Sequence, residues 1–301
     1  MEEENSLIDR EELRRKLAIR AIIYCTIGIL VVMASSLTGI AYAEFQNRDR
    51  IAKLNINKNQ EQEKEVKDSE VIEEKKQLLP VFSEEARERM AKIYEADSDE
   101  KIAYLTFDDG PSNNITPQIL EILDREGIKA TFFVLGSRVE LYPELVKQEY
   151  EQGHYIANHS FSHEYSSVYA SPEALLDEYN RTEKAIQEAI DNPDYHTYIF
   201  RFPGGSEGGK YKKQKDAVKS VFQENDILYI NWNALTRDAE GKPTAESLVE
   251  DLIATVGEKK RVVVLMHDAG TKQLTADTLP EVIEYLREEG FEFRNFYDIM
   301  R

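Results

Sequence analysis

Two adjacent aspartates, Asp108 and Asp109, end an apolar run in the stretch TFDDGPS (106–112). Successive side chains of a β-strand point to opposite faces, so the two carboxylates would point apart if the strand continues through them. One of them could then serve a different chemical purpose from the other. A polar turn that simply closes a strand would also contain Asp, Gly and Pro, so the stretch alone leaves both interpretations open.

Two histidines follow another apolar run, four residues apart, in NHSFSH (158–163). At this spacing His159 and His163 fall on one face of a helical turn, where two imidazoles can bind a single ion. The chain contains five histidines, and His154 and His196 stand in no such arrangement, so we take those two as structural or surface residues. The pair indicates a metal site, although two unrelated histidines in a polar loop would give the same pattern.

Further polar residues follow the later apolar runs. The motif RFPGGS combines Arg201, whose fixed positive charge can orient a carboxylate, with Gly204, in a turn that can bring a backbone N–H close to a substrate oxygen. The next run ends in the only tryptophan, Trp232, followed by Asp238, and a later run ends in His267. Trp232 by itself could equally be a core residue.

Two classes of partner are excluded by motif and charge. The stretch GGSEGGK (204–210) matches the phosphate-binding pattern G-x-x-x-x-G-K, but Tyr211 occupies the position where that motif needs Ser or Thr to hold magnesium. The formal net charge of the chain is −19, and so acidic a surface would repel the phosphates of nucleic acid. We therefore predict neither a nucleotide nor a nucleic-acid partner.

From about residue 100 the sequence alternates short apolar runs with amphipathic segments. The amphipathic segments have helix-boundary signals, such as Pro117 near the start and Gly127 just past the end of one, and Ser171 as the N-cap of another. The strand candidates are 101–107, 130–135, 154–159, 198–202, 227–232, 262–267 and 291–296. This alternation predicts a parallel α/β domain, for which a barrel and a doubly wound open sheet both fit.

The N-terminal part of the chain has a different composition. Residues 21–43 contain no charged side chain and, as a helix, would reach roughly 34 Å, enough to cross a bilayer as a signal-anchor. The basic residues just before them predict that residues 1–20 are cytoplasmic and that the remainder lies outside. Cleavage after Ala43, as in a secretion signal, is the alternative. The only cysteine, Cys25, lies in this segment, so we expect no intramolecular disulfide.

Residues 44–99 predict a charged, partly helical spacer, because they are polar and poor in aromatic and branched side chains. One stretch, SEEARERMAKIY, begins with a helix N-cap residue, Ser83, followed by acidic residues in the first turn. The spacer contributes no candidate site residue. We therefore expect residues 44–82 to be dispensable for turnover of small soluble substrates.

The strand ends of a parallel barrel share one rim, so residues far apart in sequence meet there. Asp109, His159 and His163 would then form three metal ligands with a coordination position left open, as a hydrolytic metal site needs. Asp108, which faces away from the metal, stays free to act as a base. The two neighbouring aspartates would thus divide metal binding and proton transfer between them.

The motifs TFDDGP, HSFSH, RFPGGS, W…DA and LMHD, in this order, resemble the five motifs of the polysaccharide deacetylase family, the NodB-homology domain of carbohydrate esterase family 4. The resemblance covers residues 100–301, which we take as the catalytic domain. It implies a distorted (β/α) barrel of about seven parallel strands, preceded here by the transmembrane helix and the spacer. It also implies the metal-dependent removal of N- or O-acetyl groups from polysaccharides.

The resemblance also implies a role for each motif residue. Asp108 is similar to the family's general base, and His267 to its general acid. The three metal ligands would be Asp109, His159 and His163.

The remaining roles concern residues that support the reacting groups. Arg201 resembles the arginine that holds the base, and Asp238 the aspartate that polarises the acid. Trp232 and Leu265 resemble the walls of the pocket for the acetyl methyl group, and the N–H of Gly204 would hold the oxyanion.

Two motifs depart from the family pattern. In the fourth motif Leu235 and Ala239 replace the outer residues of Asp-x-x-Asp-Trp, which leaves the detailed shape of the acceptor groove open. In the third motif Gly204 stands where many members have Tyr, although only a backbone N–H is needed there.

The expected partners are the membrane, through the N-terminal helix, and a polysaccharide. An anchored outer domain would reach the cell's own wall, so N-acetylglucosamine of peptidoglycan is the expected substrate; chitin oligomers and acetyl-xylan are alternatives within the family. A catalytically silent wall-glycan-binding protein is the alternative of another class. One Asp and two His suit zinc, and cobalt or nickel fit similar ligands. The expected location is the bacterial cell membrane, single-pass with the catalytic domain extracellular, or secreted if cleaved.

Overall fold

The computed structural model describes residues 79–96 and 98–301, together with isolated helical positions between residues 15 and 34. Most of the predicted membrane span 21–43 and the first part of the spacer lie outside the described residues, so both stay predictions. Among the described positions no helix is long and apolar enough to cross a membrane. The fold described below belongs to the compact unit Lys75–Arg301.

A sheet of eight parallel strands forms the centre of this unit. The strands are β1 (Lys101–Asp108), β2 (Thr131–Val134), β3 (Tyr155–Asn158), β4 (Ile199–Phe200), β5 (Leu228–Tyr229), β6 (Ala234–Leu235), β7 (Arg261–His267) and β8 (Phe291–Arg294). Seven follow the order β5-β4-β3-β2-β1-β7-β6, and β8 pairs with the first half of β1. Within residues 98–301 no backbone pairing joins β5 to β6. The predicted parallel α/β fold of about seven strands is confirmed, as a half-barrel open between these two strands.

Helices connect most of the strands, and further helices precede β1 and follow β8. They are α1 (Glu84–Ala91), α2 (Thr116–Glu126), α3 (Gly136–Leu141), α4 (Pro143–Glu151), α5 (Tyr165–Val168), α6 (Pro172–Ala189), α7 (Lys212–Glu224), α8 (Ala245–Val256), α9 (Gln273–Glu288) and α10 (Tyr297–Met300). The predicted boundary signals are confirmed for α2 and α6. Gly127 ends α2 in the left-handed region, with φ of 67°, and the Ser171 side chain accepts a hydrogen bond from the N–H of Ala174.

The side-chain alternation of β1 separates two apolar cores. Its odd-numbered residues Ala103, Leu105 and Phe107 pack against the outer helices. Its even-numbered residues Ile102 and Tyr104 belong to a second apolar cluster inside the half-barrel. A nearly continuous apolar sequence is expected of a parallel strand that is buried on both faces.

Asp108 continues the even-numbered series of β1 and therefore points into the half-barrel. The backbone register pairs it with His267 of β7 on one side and with Phe133 of β2 on the other. On the next strand pair, Asn158 of β3 lies beside Phe200 of β4. Because all strands run in the same direction, the residues that follow them gather at one end of the half-barrel.

Helix α1 begins at its predicted N-cap, where the Ser83 side chain accepts a hydrogen bond from the N–H of Ala86 at 3.0 Å. The buried face of the helix, which includes Ala86 and Met90, joins the apolar cluster inside the half-barrel together with Ile93. These residues therefore pack as part of the compact unit. The packed domain extends further towards the N-terminus than the predicted range 100–301.

The chain is packed even before α1. The N–H of Val81 donates a hydrogen bond to the carbonyl of Met300 at 2.6 Å, and Leu79 packs against the outer core. The sequence predicts that residues 44–82 are dispensable for turnover. Because a truncation that removes Leu79 or Val81 would lose these contacts, we now expect the dispensable segment to end before Leu79.

The predicted strands need two corrections between residues 227 and 235. The predicted strand 227–232 is a strand only at Leu228–Tyr229, and the strand Ala234–Leu235 was not predicted. A two-residue strand has no periodicity that a sequence pattern could reveal. It is specified instead by pairing with β7, where Ala234 lies beside Val264.

The docking of α1 predicts a difference between two substitutions on the same helix. Met90→Ala removes a buried side chain and should lower the free energy of unfolding by about 2–5 kcal/mol. Glu88→Ala, on the exposed face, should change it by less than about 0.5 kcal/mol. Equilibrium urea unfolding of both variants, in a chain that begins at Lys75, measures the difference. Equal stabilities would mean that α1 does not pack on the half-barrel in solution.

Candidate active site

A cavity of about 280 Å³ opens at the carboxyl ends of the strands. Nine of the ten site residues predicted from the sequence line it, and the tenth, Arg201, is fully buried behind it. The nine are Asp108, Asp109, His159, His163, Gly204, Trp232, Asp238, Leu265 and His267. The structure therefore brings together residues that are up to 159 positions apart in the chain.

Three potential metal ligands converge at one side of the cavity. The Oδ1 atom of Asp109 lies 3.5 Å from Nε2 of His159 and 3.4 Å from Nε2 of His163. One ligand atom from each of the three residues lies within 4.8 Å of the others. The Nδ1–H of His159 donates a hydrogen bond to the carbonyl oxygen of Arg201 at 2.8 Å, which directs its other nitrogen towards the aspartate.

These three residues fit a divalent cation. Ligands at about 2.0–2.1 Å around a tetrahedral zinc ion are roughly 3.3 Å from one another, close to the separations from Asp109 Oδ1. That oxygen is buried and makes no hydrogen bond within the described part of the chain. Burial, the largest influence, lowers the pKa of His159 to about 3 and keeps its imidazole neutral, the form that binds metals.

The backbone around these ligands is strained. Asp109, Ser160 and His163 have positive φ angles of 76°, 74° and 58°. Non-glycine residues adopt this region rarely, at a cost of about 1–3 kcal/mol each, and mostly at functional sites. The left-handed turn at Asp109 breaks the alternation of β1. The two carboxylates therefore do not point apart as the strand pattern predicts, because Asp109 Oδ1 lies 3.5 Å and Asp108 Oδ2 3.7 Å from Nε2 of His159.

Asp108 forms a buried ion pair with Arg201, at 2.7 Å between Oδ1 and the guanidinium. The guanidinium also donates to the hydroxyl of Thr106 and to the carbonyl of Asn231, and it lies 3.9 Å from the centre of the Phe133 ring. Burial raises the pKa of the Asp108 carboxyl, and the charge of Arg201 opposes that rise. Asp108 is thus held by one oxygen and keeps the basicity that a proton acceptor needs.

On the neighbouring strand β7, His267 is held by Asp238. The Nδ1–H of His267 donates to Oδ1 at 2.7 Å, and its backbone N–H donates to Oδ2 at 2.8 Å. The hydroxyl of Thr275 donates to Oδ2 at 2.7 Å. Burial alone would lower the pKa of His267, but the hydrogen bond and charge of Asp238, with the charges of Asp108 and its neighbour, raise it to about 9. His267 therefore carries a proton at neutral pH and can donate it.

Gly204 also lines the cavity, and its backbone has a left-handed φ of 70°. Its N–H makes no hydrogen bond to any residue in 79–96 or 98–301. The turn around it is fixed, because the N–H of Gly205 donates to the carbonyl of Phe202 at 2.7 Å and Nζ of Lys215 donates to the carbonyl of Gly205 at 2.6 Å. Gly204 thus offers the cavity a backbone donor in a held position.

Several cavity residues were not predicted from the sequence. Tyr165, Phe202, Arg237 and Glu240 line the cavity. Tyr165 follows the second motif by two positions, so an aromatic residue at that spacing was a signal available in the sequence. Thr275, which donates a hydrogen bond to Asp238, lies in the first turn of α9. Nothing in the local sequence identifies it as a site residue.

Asp268, next to His267, does not face the cavity. Its Oδ2 accepts a hydrogen bond from Thr116 at 2.6 Å, and burial raises its pKa to about 7. It lies so close to Gly110 that a Cβ added there would be 2.0 Å from Oδ2. The glycine of TFDDGP is therefore required by this close approach.

Comparison with known proteins finds deacetylases that are named for more than one glycan. A family model described as polysaccharide deacetylase matches residues 95–222. A peptidoglycan-N-acetylglucosamine deacetylase of Bacillus cereus is 32% identical over 210 residues, which cover 69% of this chain and 92% of that protein. The enzyme of the same name from Listeria monocytogenes is 33% identical over 205 residues, covering 68% of this chain but only 40% of that protein.

Solved structures show the same fold. A carbohydrate esterase family 4 esterase of Streptococcus mutans is similar with a TM-score of 0.62 and 29% identity, over 72% of this chain and 92% of that one. A pseudoenzyme of that family from Bacillus anthracis is also similar, with a TM-score of 0.57 and 25% identity, over 67% of this chain and 66% of that one. Similarity of fold therefore does not by itself establish turnover, which has to be argued from the residues of the cavity.

The geometry predicts that the two neighbouring aspartates differ in metal binding. Asp109→Asn should weaken the binding of zinc by at least ~10-fold, because it removes a charge from the ligand cluster. Asp108→Asn should leave zinc affinity close to that of the unchanged protein, because its carboxylate is paired with Arg201. Zinc titration of the metal-free proteins measures both affinities. The reverse order of affinities would mean that the two roles are exchanged.

Proposed function

Because the chain belongs to the polysaccharide deacetylase family, we propose that it is a metal-dependent hydrolase that removes N-acetyl groups from N-acetylglucosamine in peptidoglycan and releases acetate. One observation carries the proposal. A cluster of potential metal ligands lies in one cavity together with a carboxylate held by Arg201 and a histidine held by Asp238.

In this proposal the carboxylate of Asp108 accepts a proton from the attacking water. Its buried pairing with Arg201 keeps one oxygen engaged and orients the other, which lies 3.7 Å from Nε2 of His159. When bound by Asp109, His159 and His163, a divalent cation supplies Lewis acidity to this chemistry. Zinc is the cation that this ligand set suits best, and cobalt or nickel are alternatives.

The remaining steps use other residues that line the cavity. The water oxygen forms a bond to the acetyl carbon, and the N–H of Gly204 donates to the oxygen on which negative charge develops. Trp232 and Leu265 enclose the acetyl methyl group. The carbon–nitrogen bond then breaks as His267 gives its proton to the departing amine, so the products are acetate and a free amino sugar.

The choice of substrate rests on the relatives. The two curated relatives described above are named for peptidoglycan-N-acetylglucosamine, and the proposed outer location, anchored by residues 21–43 or secreted after cleavage at Ala43, places wall polymer within reach. Chitin oligomers and acetyl-xylan remain the alternatives within the family. The alternative of a silent glycan-binding protein is less favoured, because the cavity contains a base, an acid and a ligand cluster, each with its supporting partners.

The substrate proposal is tested by acetate release. The zinc-loaded domain should release acetate from purified peptidoglycan, and the matched Asp108→Asn variant should not, because it keeps the site but lacks the base. Chitin oligomers and acetyl-xylan are compared at equal acetyl content. Release from acetyl-xylan alone would contradict the peptidoglycan proposal, and tight glycan binding without any release would favour the silent alternative.

The pairing of His267 with Asp238 predicts the alkaline limb of the pH profile. The pKa of His267 is raised above its ordinary value, so its proton is present at neutral pH and is lost as the pH rises through about 9. Turnover of an amide substrate should fall there. Asp238→Asn removes the charge that raises this pKa, so the limb should move to lower pH.

Two controls accompany this measurement. Asp277→Asn, an exposed acid of α9, should leave the limb in place. An activated aryl acetate, whose leaving group needs no proton, should show no fall due to His267. If the limb of the Asp238→Asn variant coincides with that of the unchanged protein, His267 is not the acid.

A further inference from the structure

The hydroxyl of Tyr165 lies in the cavity beside Gly204. A Cβ added to Gly204 would be 2.7 Å from this oxygen, so the hydroxyl takes up the space that a side chain at position 204 would fill. Tyr165 lines the cavity and is 41% exposed. Its hydroxyl makes no hydrogen bond to any residue in 79–96 or 98–301. The phenol is therefore able to donate to a bound molecule.

The ring of Tyr165 is held by its neighbours. It packs against the rings of His163 at 5.5 Å, Tyr169 at 5.9 Å and Tyr211 at 6.2 Å between centroids. The neighbouring hydroxyl of Tyr169 has a different use, since it donates to the carbonyl of Pro203 at 2.7 Å and so fixes the turn before Gly204. The aromatic cluster thus holds the Tyr165 ring in place while its hydroxyl stays unpaired.

We propose that Tyr165 is a further catalytic residue, which donates a hydrogen bond to the acetyl oxygen as negative charge develops on it. The inference rests on the proposed function. In that mechanism the oxygen lies at the N–H of Gly204 and next to the ligand cluster, and Tyr165 reaches both: its hydroxyl adjoins Gly204 and its ring adjoins His163. A donor held beforehand at the site of developing charge stabilises the transition state without reorganisation.

The position of the Tyr165 hydroxyl also explains why residue 204 is a glycine. The left-handed φ of Gly204 favours glycine, and any Cβ there would collide with the Tyr165 hydroxyl. The two residues therefore form one unit, a backbone N–H and a phenol O–H on the same wall. Neither donor has a partner within the described residues.

Tyr165→Phe tests the inference, because it removes one oxygen and keeps the ring. On a chitin oligomer and on an aryl acetate, kcat should fall by ~10²-fold with KM unchanged, because the lost donor acts on the acetyl oxygen, which both substrates share. His267→Ala should instead affect the chitin oligomer far more than the aryl acetate. Tyr211→Phe, which removes the same atom from a neighbouring ring that does not line the cavity, should leave kcat unchanged.

Gly204→Ala provides an independent test, because it displaces the Tyr165 hydroxyl without removing it. Its kcat should also fall, and the double variant with Tyr165→Phe should lose little more than Tyr165→Phe alone, since the two changes disable one unit. Zinc content and thermal unfolding are measured for every variant. Additive losses would contradict the inference.

The failure of the inference is distinguishable from the failure of the proposed function. If the unchanged protein releases acetate and Tyr165→Phe keeps its kcat, the inference alone is wrong. A rise in KM at unchanged kcat would also overturn it, because the hydroxyl would then contribute only to substrate binding. If the unchanged protein releases no acetate from any of the glycans, both fail.

Discussion

A fully buried guanidinium holds the half-barrel and the candidate site together. Arg201 has no exposed surface, pairs with Asp108 of β1, lies over Phe133 of β2 and donates to the carbonyl of Asn231 after β5. Its own carbonyl accepts the hydrogen bond that orients His159 after β3. A buried charge is tolerated only when its partners are complete, and removing one of them leaves an uncompensated charge. Since Arg201 itself follows β4, the relative positions of five strands depend on the group that holds one carboxylate.

Two buried ion pairs, with the charges of the held group and its partner reversed, lie side by side at the cavity. Asp108 is an acid group held by a cation, and His267 is a basic group held by the anion Asp238. Burial and the remaining partners leave the pKa of Asp108 raised and set that of His267 at about 9. Environments of this kind assign one group to accept a proton and the other to donate one. The division depends on the partners, because an isolated aspartate and histidine in water would titrate elsewhere.

The violations of local rules are concentrated around the same cavity. Asp109 and His163 adopt left-handed backbone conformations, the Oδ1 atom of Asp109 is buried without a hydrogen bond, and the N–H of Gly204 points to no partner among the described residues. The left-handed non-glycine residues and the buried, unpaired oxygen cost stability in the protein alone. In the proposed function a bound cation would offset this cost, and strain of this kind persists mostly at functional sites.

Local patterns in the sequence predict the motif residues, the succession along the chain of the strands that carry them, and the helix caps at Ser83, Gly127 and Ser171, because alternation and capping are local properties. The spacing of the motif residues also predicts that Asp109, His159 and His163 form a cluster of metal ligands. Three other features appear only in the folded chain: the short strand Ala234–Leu235, the packing of α1 into the half-barrel and the approach of Tyr165 to Gly204. These features are specified by contacts between distant segments, and no local pattern of side chains encodes a distance between residues that are far apart in the chain.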